Sequence, residues 1–183
     1  MTKYSIIYCD PPYDYAGRKQ HGKVAENASA DTHYNTMVLA DLKKLKVADI
    51  AEDNALLFQW TTSPHLPQAL ELMSAWGFKY STIAFVWYKE KTNPGYYTLS
   101  ECEICLVGRK GNIPKPRGSR KERQFLSALR GKHSEKPEEI RRRIEKMFPE
   151  QKKVELFARK PTEGWAVWGN EVASTAVLET APT

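Results

Sequence analysis

The sequence predicts an α/β fold in which helices flank a mostly parallel central sheet. Six short runs rich in apolar, β-branched and aromatic residues are typical of strands. Segments with helical spacing of apolar residues lie between several of these runs. Strands that alternate with helices form such sheets, which carry ligand sites at the carboxyl ends of their strands. Because 183 residues are enough to bury a full core, we expect a single domain over residues 1–183.

The expected strands begin near the amino terminus. The first, Tyr4–Cys9, combines two Ile with two Tyr residues. It must end where Asp10 precedes two prolines, because proline fixes φ and removes a backbone donor. The later runs are residues 55–60, 82–88, 101–107, 153–158 and 166–169.

Three segments show helical patterns. Residues 39–50 place leucines and a valine near helical spacing, and residues 64–76 end at Gly77, which is a helix-termination signal. Residues 137–148 open with a proline and carry two glutamates in the first turn, where negative charge is favoured by the helix dipole. These helices would cover the faces of the sheet.

Three segments are predicted to be irregular. Residues 14–32 and 108–132 are polar or rich in glycine and arginine, and we interpret them as mobile substrate-side loops. Since both follow predicted strands, both could close over a site at the same rim of the sheet. Residues 172–183 lack aromatic side chains and are expected to form a frayed tail.

Composition argues against membrane and secreted classes. No run approaches the roughly 18 apolar residues of a membrane span, and the start of the chain does not read as a signal sequence. Three cysteines, an odd count, indicate reduced thiols and a cytoplasmic protein.

No metal site is expected, because strand alternation sends Cys102 and Cys105 to opposite faces and a zinc site would need two more ligands. Four histidines are interpreted as surface or loop residues: His21, His33, His65 and His133.

Positive charge is concentrated in one part of the chain. Residues 109–143 contain thirteen Lys or Arg and four acidic residues, a net charge of +9 against +6 for the whole chain. Such a segment is a candidate phosphate-binding surface, because cations that neutralise phosphates dominate nucleic-acid affinity. The alternative is a solvated loop and helix face. The candidate substrate-binding cations are Arg117, Arg120, Lys121 and Arg123.

The strongest local signal is the tetrad Asp10, Pro11, Pro12 and Tyr13, directly after the first strand. Two prolines hold a carboxylate and an aromatic ring on a loop with little freedom. The tetrad resembles motif IV of the amino-methyltransferases that modify exocyclic amines of nucleic-acid bases. A proline turn without catalytic function is the alternative for these four residues alone.

Further segments extend the resemblance over most of residues 4–171. The chain is similar to the MT-A family of adenine-N6 methyltransferases, which includes the eukaryotic mRNA enzymes and shorter bacterial and phage members. Besides the tetrad, the matching segments are residues 34–37, 56–61, 103–108, 136–140, 153–159 and 164–171. The resemblance implies a Rossmann-like, S-adenosylmethionine-dependent methyltransferase fold. Its motif order is circularly permuted, with the catalytic motif first and the cofactor motif last.

The resemblance also implies roles for individual residues. The tetrad would hold the target amine and base, and Asp10 would also lie beside the cofactor and near Arg159. S-adenosylmethionine would be bound by Lys136, Phe157, Glu155, Arg159, Asn170 and Glu171. The target pocket would be lined by Tyr13, Tyr34, Trp60 and Glu103. Tyr13 stands where larger members have Trp, and Glu171 where the mRNA enzymes have Gln, but both keep the physical role. A buried Glu155 requires a partner, either the cofactor, which we favour, or Arg159.

The expected activity is methyl transfer to the N6 amine of adenine in DNA, with an extruded or unpaired base stacked on Tyr13. The alternatives are an RNA adenosine-N6 methyltransferase, a DNA cytosine-N4 methyltransferase and a non-catalytic nucleic-acid-binding subunit. Intact Asp10 argues against the last alternative, because non-catalytic members of the family have lost the acidic tetrad. A protein-glutamine methyltransferase is disfavoured, because that group carries Asn where this chain has Asp10. The resemblance is compatible with a homodimer in the cytoplasm of a bacterium or a phage-infected host.

Overall fold

The computed structural model describes residues 2–13, 36–95, 97–131 and 135–181, which form one seven-stranded sheet with helices on both faces. The spatial order of the strands is β5-β3-β4-β2-β1-β6-β7. The strands are β1 (Tyr4–Cys9), β2 (Ala51–Thr61), β3 (Lys79–Asn93), β4 (Ser100–Lys110), β5 (Phe125–Ser127), β6 (Lys153–Leu156) and β7 (Trp165–Trp168). The α-helices are α1 (Leu39–Lys44), α2 (Val47–Ile50), α3 (Leu66–Ala75) and α4 (Glu138–Met147), and a 3-10 helix, Ser63–His65, precedes α3.

Strand direction defines the two edges of this sheet. β1 is parallel to β2 and β6, and β7 is parallel to β6. β4 is antiparallel to both β2 and β3, and β5 is parallel to β3. Of the seven described strands, β4 therefore runs against the other six. We call the edge where those six strands end the carboxyl edge and the opposite one the amino edge. The predicted α/β, mostly parallel, Rossmann-like fold is confirmed.

Two hydrophobic clusters hold the layers together. Ile7 and Cys9 of β1 belong to the cluster that includes α1, α2 and α3 residues, whereas Ile6 and Tyr8 belong to the cluster with Ile140 of α4. Successive side chains of a strand point to opposite faces, so β1 is buried on both sides. Its central place puts whatever follows Cys9 at the middle of the carboxyl edge.

Several predicted boundaries are corrected by the structure. The helix expected over residues 39–50 is two helices, because Leu45 adopts an extended conformation between α1 and α2. The strand expected to reach residue 158 ends at Leu156, because Phe157 has a φ of 60°. The loop expected over residues 108–132 contains the end of β4 and all of β5.

Residues 111–119 also leave the sheet at the opposite edge from the one predicted. They follow β4, the antiparallel strand, and the backbone N–H of Asn112 donates to Oδ1 of Asn54, near the start of β2, at 2.8 Å. The N–H of Gly118 donates to the carbonyl of Met147, at the end of α4, at 2.9 Å. The expectation of a shared rim is therefore wrong for these residues. The other predicted loop, residues 14–32, lies outside the described residues.

Residues 172–181 are anchored, and the expectation of a frayed tail is wrong for them. The N–H of Lys46 donates to the carbonyl of Glu179 at 2.8 Å, and the N–H of Ala181 donates to that of Lys44 at 2.7 Å. Ala176 is buried in the core cluster beside the first helices. Backbone pairing and small apolar side chains hold this segment without aromatics. Across the described ranges, no helix combines the length and apolar character needed to cross a bilayer.

Candidate active site

The tetrad lies at the carboxyl edge, directly after the central strand β1. The N–H of Tyr13 donates to the carbonyl of Pro11 at 2.9 Å, and the N–H of Met37 donates to that of Pro12 at 2.8 Å. These bonds fix the loop from both sides, while the two prolines limit its φ angles. The Asp10 side chain retains 33% exposure and can meet a ligand from solvent.

Lys136 connects the tetrad to the rest of the site. Its Nζ lies 2.8 Å from Oδ2 of Asp10 and 3.0 Å from Oε2 of Glu103, and 5.7 Å from the centre of the Trp60 ring. Burial lowers the pKa of Lys136, but the charges of Asp10 and Glu103 together outweigh burial and raise that pKa above its ordinary value. The ammonium group thus stays protonated between two carboxylates.

Glu103 contacts a second buried cation that sequence analysis missed. Its Oε1 lies 3.4 Å from Nζ of Lys89, and both side chains are buried. The strand predicted over residues 82–88 ended one residue too early to include Lys89. The signal was present, because the alternation that buries Phe85 and Trp87 places Lys89 on the same face.

Trp60 lies beneath the site in the core. Its ring is fully buried, and its Nε1–H donates to the hydroxyl of Tyr8 at 2.7 Å. It meets the edge of the Trp87 ring with ring centres 6.3 Å apart. The contact of Lys136 with this ring places Trp60 under the ammonium group as part of the floor of the site.

Tyr13 is held by two residues. Nε2 of Gln59 donates to the Tyr13 hydroxyl at 2.6 Å, and the His65 ring stacks on the Tyr13 ring at 5.5 Å between centres. The interpretation of His65 as a surface or loop residue is wrong, because it is buried, and its Nδ1 lies 2.9 Å from Oγ1 of Thr62. Burial raises the pKa of Tyr13 well above its usual range, so its hydroxyl stays neutral. No sequence pattern pointed to the stacking of His65 on Tyr13, because this contact depends on how the 3-10 helix before α3 lies beside the tetrad.

Glu155 forms an ion pair with Arg141 of α4. Nε and Nη2 of Arg141 each donate to one carboxylate oxygen, both at 2.9 Å, and the guanidinium lies 5.6 Å from the centre of the Tyr8 ring. The sequence analysis missed Arg141, which holds both oxygens of Glu155 in a bidentate pair, and a contact of Glu155 with the cofactor stays a prediction. Burial raises the pKa of Glu155 in spite of Arg141.

The four other proposed cofactor residues follow β6 and β7. The Phe157 ring meets the edge of Trp168 at 5.5 Å between centres, and the N–H of Ala158 donates to the carbonyl of Trp168 at 3.0 Å. A Cβ on Gly169 would lie 2.2 Å from the carbonyl of Ala158, so only glycine permits this approach. The structure therefore brings the ends of the two strands together beside β1. The residues on them are Phe157, Arg159, Asn170 and Glu171.

The proposed substrate-binding cations lie on the segment that runs along α4. The guanidinium of Arg117 lies 5.6 Å from the centre of the Phe148 ring, just past the end of α4. Nη1 of Arg143 donates to the carbonyl of Arg123 at 2.7 Å. Arg120, Lys121 and Arg123 are exposed between these two points. Tyr34, expected in the target pocket, lies outside the described residues.

A mostly parallel α/β sheet with an acidic two-proline loop at its carboxyl edge, beside two polar strand ends, defines a Rossmann-like methyltransferase domain. The chain belongs to the MT-A70 family, whose model matches residues 4–171. This confirms the resemblance found in the sequence.

Individual relatives agree with this assignment. The chain is 46% identical over 187 residues to the Type II methyltransferase M.MunI of a Mycoplasma species, with 96% of this chain and 80% of the relative covered. It is 26% identical to the N(6)-adenosine-methyltransferase subunit METTL3 of Danio rerio and 25% identical to the METTL3 catalytic subunit of Homo sapiens. Those matches cover 98% of this chain but 30% of each METTL3 protein.

Proposed function

We propose that this chain transfers a methyl group from S-adenosylmethionine to the exocyclic N6 amine of adenine in DNA. The observation that carries the proposal is the placement of Asp10, a partly exposed carboxylate held by Lys136 at the centre of the carboxyl edge. The similarity of the chain to a Type II methyltransferase supports DNA as the substrate. The positive net charge of +6 is compatible with a polyanionic partner.

The tetrad provides two acceptors for the target amine. The lone pair of an exocyclic base amine is delocalised into the ring, so the nitrogen is a poor nucleophile. The Asp10 carboxylate and the carbonyl of Pro11 would accept the two amine hydrogens and localise electron density on nitrogen. The Pro11 carbonyl already accepts the N–H of Tyr13, which leaves one lone pair for this purpose. As the new carbon–nitrogen bond forms, the carbon–sulfur bond of the donor would break, its electron pair would stay on sulfur to give the neutral thioether product, and the surplus proton would pass to Asp10.

The residues at the ends of β6 and β7 fit the proposed cofactor. S-adenosylmethionine supplies a methyl group on a positively charged sulfur, so the protein needs no nucleophile of its own. Lys136 has three N–H donors and uses two on Asp10 and Glu103, which leaves one for the cofactor carboxylate. Phe157 would border the adenine ring of S-adenosylmethionine, while Arg159, Asn170 and Glu171 would bind the ribose of the cofactor and its nearby polar groups. Glu155, held by Arg141, would contribute through its remaining lone pairs.

The target base would be extruded from a duplex or taken from a single strand, because its amine is otherwise inside the stack. Unstacking costs a few kcal/mol, and stacking on an aromatic ring returns about 1–3 kcal/mol per base. His65 covers one face of the Tyr13 ring, so the base would stack on the other face. Because Tyr13 is buried, neighbouring side chains would have to shift before the base could reach that face. Glu103 would complete the proposed pocket above the buried ring of Trp60, and the contribution of Tyr34, outside the described residues, stays a prediction.

RNA is the second candidate substrate, because the METTL3 relatives are named N(6)-adenosine-methyltransferases. Cytosine-N4 transfer in DNA uses the same acceptor geometry and is the third candidate. A non-catalytic nucleic-acid-binding subunit is disfavoured by the intact acidic tetrad. A homodimer is an additional expectation from the family resemblance, as are substrate contacts by Arg117, Arg120, Lys121 and Arg123.

The test is substitution of the central carboxylate. Asp10→Ala should lower methyl transfer from labelled S-adenosylmethionine to DNA by at least about 100-fold, since placed acid–base and electrostatic groups each contribute that much. The matched control is Asp53→Ala, which removes an exposed carboxylate at the amino edge. Circular dichroism and thermal unfolding would confirm that both variants fold. Activity of folded Asp10→Ala near the wild-type value would remove the proposed mechanism.

A further inference from the structure

Four ionised side chains form a continuous chain that begins at the tetrad and enters the core. In order they are Asp10, Lys136, Glu103 and Lys89, with successive nitrogen–oxygen distances of 2.8, 3.0 and 3.4 Å. We call this set the ion chain. Its solvent end is Asp10, at 33% side-chain exposure, whereas the side chains of the other three are 7–8% exposed. The proposed mechanism uses the first three members and leaves Lys89 without a role.

Charge balance gives Lys89 a specific task. The ion chain holds two carboxylates and two ammonium groups, so its net charge is zero. Without Lys89, partly exposed Asp10 and buried Glu103 would share the single charge of Lys136. A buried carboxylate that lacks its partner is costly, and it responds by taking up a proton or by drawing a remaining cation toward itself. Either response would disturb the contact between Lys136 and Asp10.

Geometry leads to the same conclusion. Each oxygen of Glu103 contacts a different lysine, Oε1 the ammonium of Lys89 and Oε2 that of Lys136. Contacts on both oxygens fix the orientation of a carboxylate, and Lys136 then stands between Oε2 and Asp10. The position of Lys136 therefore depends on Lys89 through Glu103.

We propose that Lys89 is a positioning residue of the active site, which balances Glu103 so that Lys136 remains on Asp10. This inference rests on the proposed function for its kinetic consequence, although its electrostatic part concerns this chain alone. Lys89 lies on β3, and its ammonium reaches Glu103 rather than Asp10. It would act through those intermediates and would not touch the reacting atoms.

Other ionisable groups interact electrostatically with members of the ion chain. Burial raises the pKa of Cys105 well above its ordinary value, and the charge of Asp10 raises it further, while Lys136 opposes both. Burial likewise raises the pKa of Cys9, with Asp10 contributing. The charge of Asp10 also contributes to raising the pKa values of Tyr13 and Glu155. With their pKa values raised, the two thiols and the phenol stay neutral near pH 7, which leaves the carboxylates to respond when Lys89 is lost.

The experiment replaces Lys89 and follows the carboxylates directly. The variants are Lys89→Met, which removes the charge at similar length, Lys89→Arg, which keeps it, and Lys91→Met, which removes an exposed lysine of the same strand. Carboxyl-carbon NMR titration of Asp10 and Glu103 should show at least one midpoint raised by about one pH unit in Lys89→Met, a tenfold gain in proton affinity. Lys89→Arg and Lys91→Met should match the wild type.

Kinetics provide the second readout. In Lys89→Met, kcat near pH 7 should fall by about tenfold with little change in the KM for DNA, and the acidic limb of the pH profile should move up with the carboxyl midpoint. A loss of stability alone would not move that limb. If Lys89→Met does not fold, Lys89→Gln provides the same comparison.

Unchanged carboxyl titrations in a folded charge-free variant would overturn the proposal. If the wild type methylates no oligonucleotide, the proposed function fails, and the titration still decides whether Lys89 controls the ion chain.

Discussion

The carboxyl edge and the flank of α4 use positive charge in opposite ways. At the carboxyl edge, Lys136 and Lys89 are buried and each contacts a carboxylate within 3.4 Å. Along α4, Arg120, Lys121 and Arg123 are exposed to solvent. All of these except Lys89 belong to the strongly basic stretch of residues 109–143. Charge density along a sequence therefore does not distinguish a cation that organises a site from one that faces solvent.

The direction of a single strand explains this difference. Because β4 runs against its neighbours, the segment that follows it emerges at the amino edge and returns along α4. Lys136 instead precedes α4 and approaches from the carboxyl edge. Buried charges must be paired, whereas exposed charges are screened and contribute little to stability. Three experiments test this contrast.

The largest effect on stability is expected at Arg141. Arg141→Met removes the bidentate partner of buried Glu155 and should lower the free energy of unfolding by about 3–5 kcal/mol. Its neighbour Arg142 is exposed, and Arg142→Met should change that free energy by no more than about 0.5 kcal/mol. Urea unfolding of both variants measures the difference. Equal losses would mean that the contrast between buried and exposed cations does not hold on α4.

An intermediate effect is expected from Lys136 at alkaline pH. The pKa of Lys136 is raised in the folded protein above its ordinary value of 10.5, so protonation favours folding. The stability contributed by protonated Lys136 is therefore fully present below the pKa of Lys136 in the unfolded chain, and it is lost as the pH rises through the pKa in the folded protein. The difference in unfolding free energy between wild type and Lys136→Met should thus stay constant from pH 7 to about pH 10 and shrink above it. A difference that grows above pH 10 would contradict the assigned ion pair.

The smallest effect is expected from the exposed cations. Combined neutralisation of Arg120, Lys121 and Arg123 should weaken DNA binding across sequences and flatten its salt dependence, with kcat unchanged. The slope of log affinity against log salt should fall by at most about one per lost phosphate contact. Binding affinity would be measured between about 50 and 200 mM salt, because affinity that depends on phosphate contacts falls steeply over that range. An unchanged slope would identify the segment as a solvated surface.

The fold was accessible from the sequence because its signals are local. Apolar runs located six of the seven described strands, and the two prolines after Cys9 located the end of the central one. The missed strand, β5, has three residues, and its hydrogen bonds come from β3 more than thirty residues earlier. A short strand whose partner is distant leaves no periodic pattern of its own.

The site could be predicted only in part from the sequence, because its contacts join residues that are distant in the chain. Motifs identified Asp10, Glu103 and Lys136 as candidates, but not the ion pairs that join them, because those pairs link β1, β4 and the start of α4. Two missed residues did carry a signal. Lys89 continues the buried alternation of β3, and Arg141 precedes Ile144 by three residues on the buried side of α4. In both cases, a charged residue at a buried position indicated a partner.

The chemical identity of the methylated nucleoside is the decisive measurement for the proposed DNA adenine methylation. Wild-type protein and labelled S-adenosylmethionine would be incubated with matched double- and single-stranded DNA and RNA oligonucleotides, followed by digestion and mass spectrometry of the nucleosides. We expect N6-methyladenine in DNA, lost in Asp10→Ala and retained in Asp53→Ala. N6-methyladenine in RNA alone, or N4-methylcytosine in DNA, would contradict the assigned substrate, and no methylated nucleoside in any strand would contradict the assigned activity.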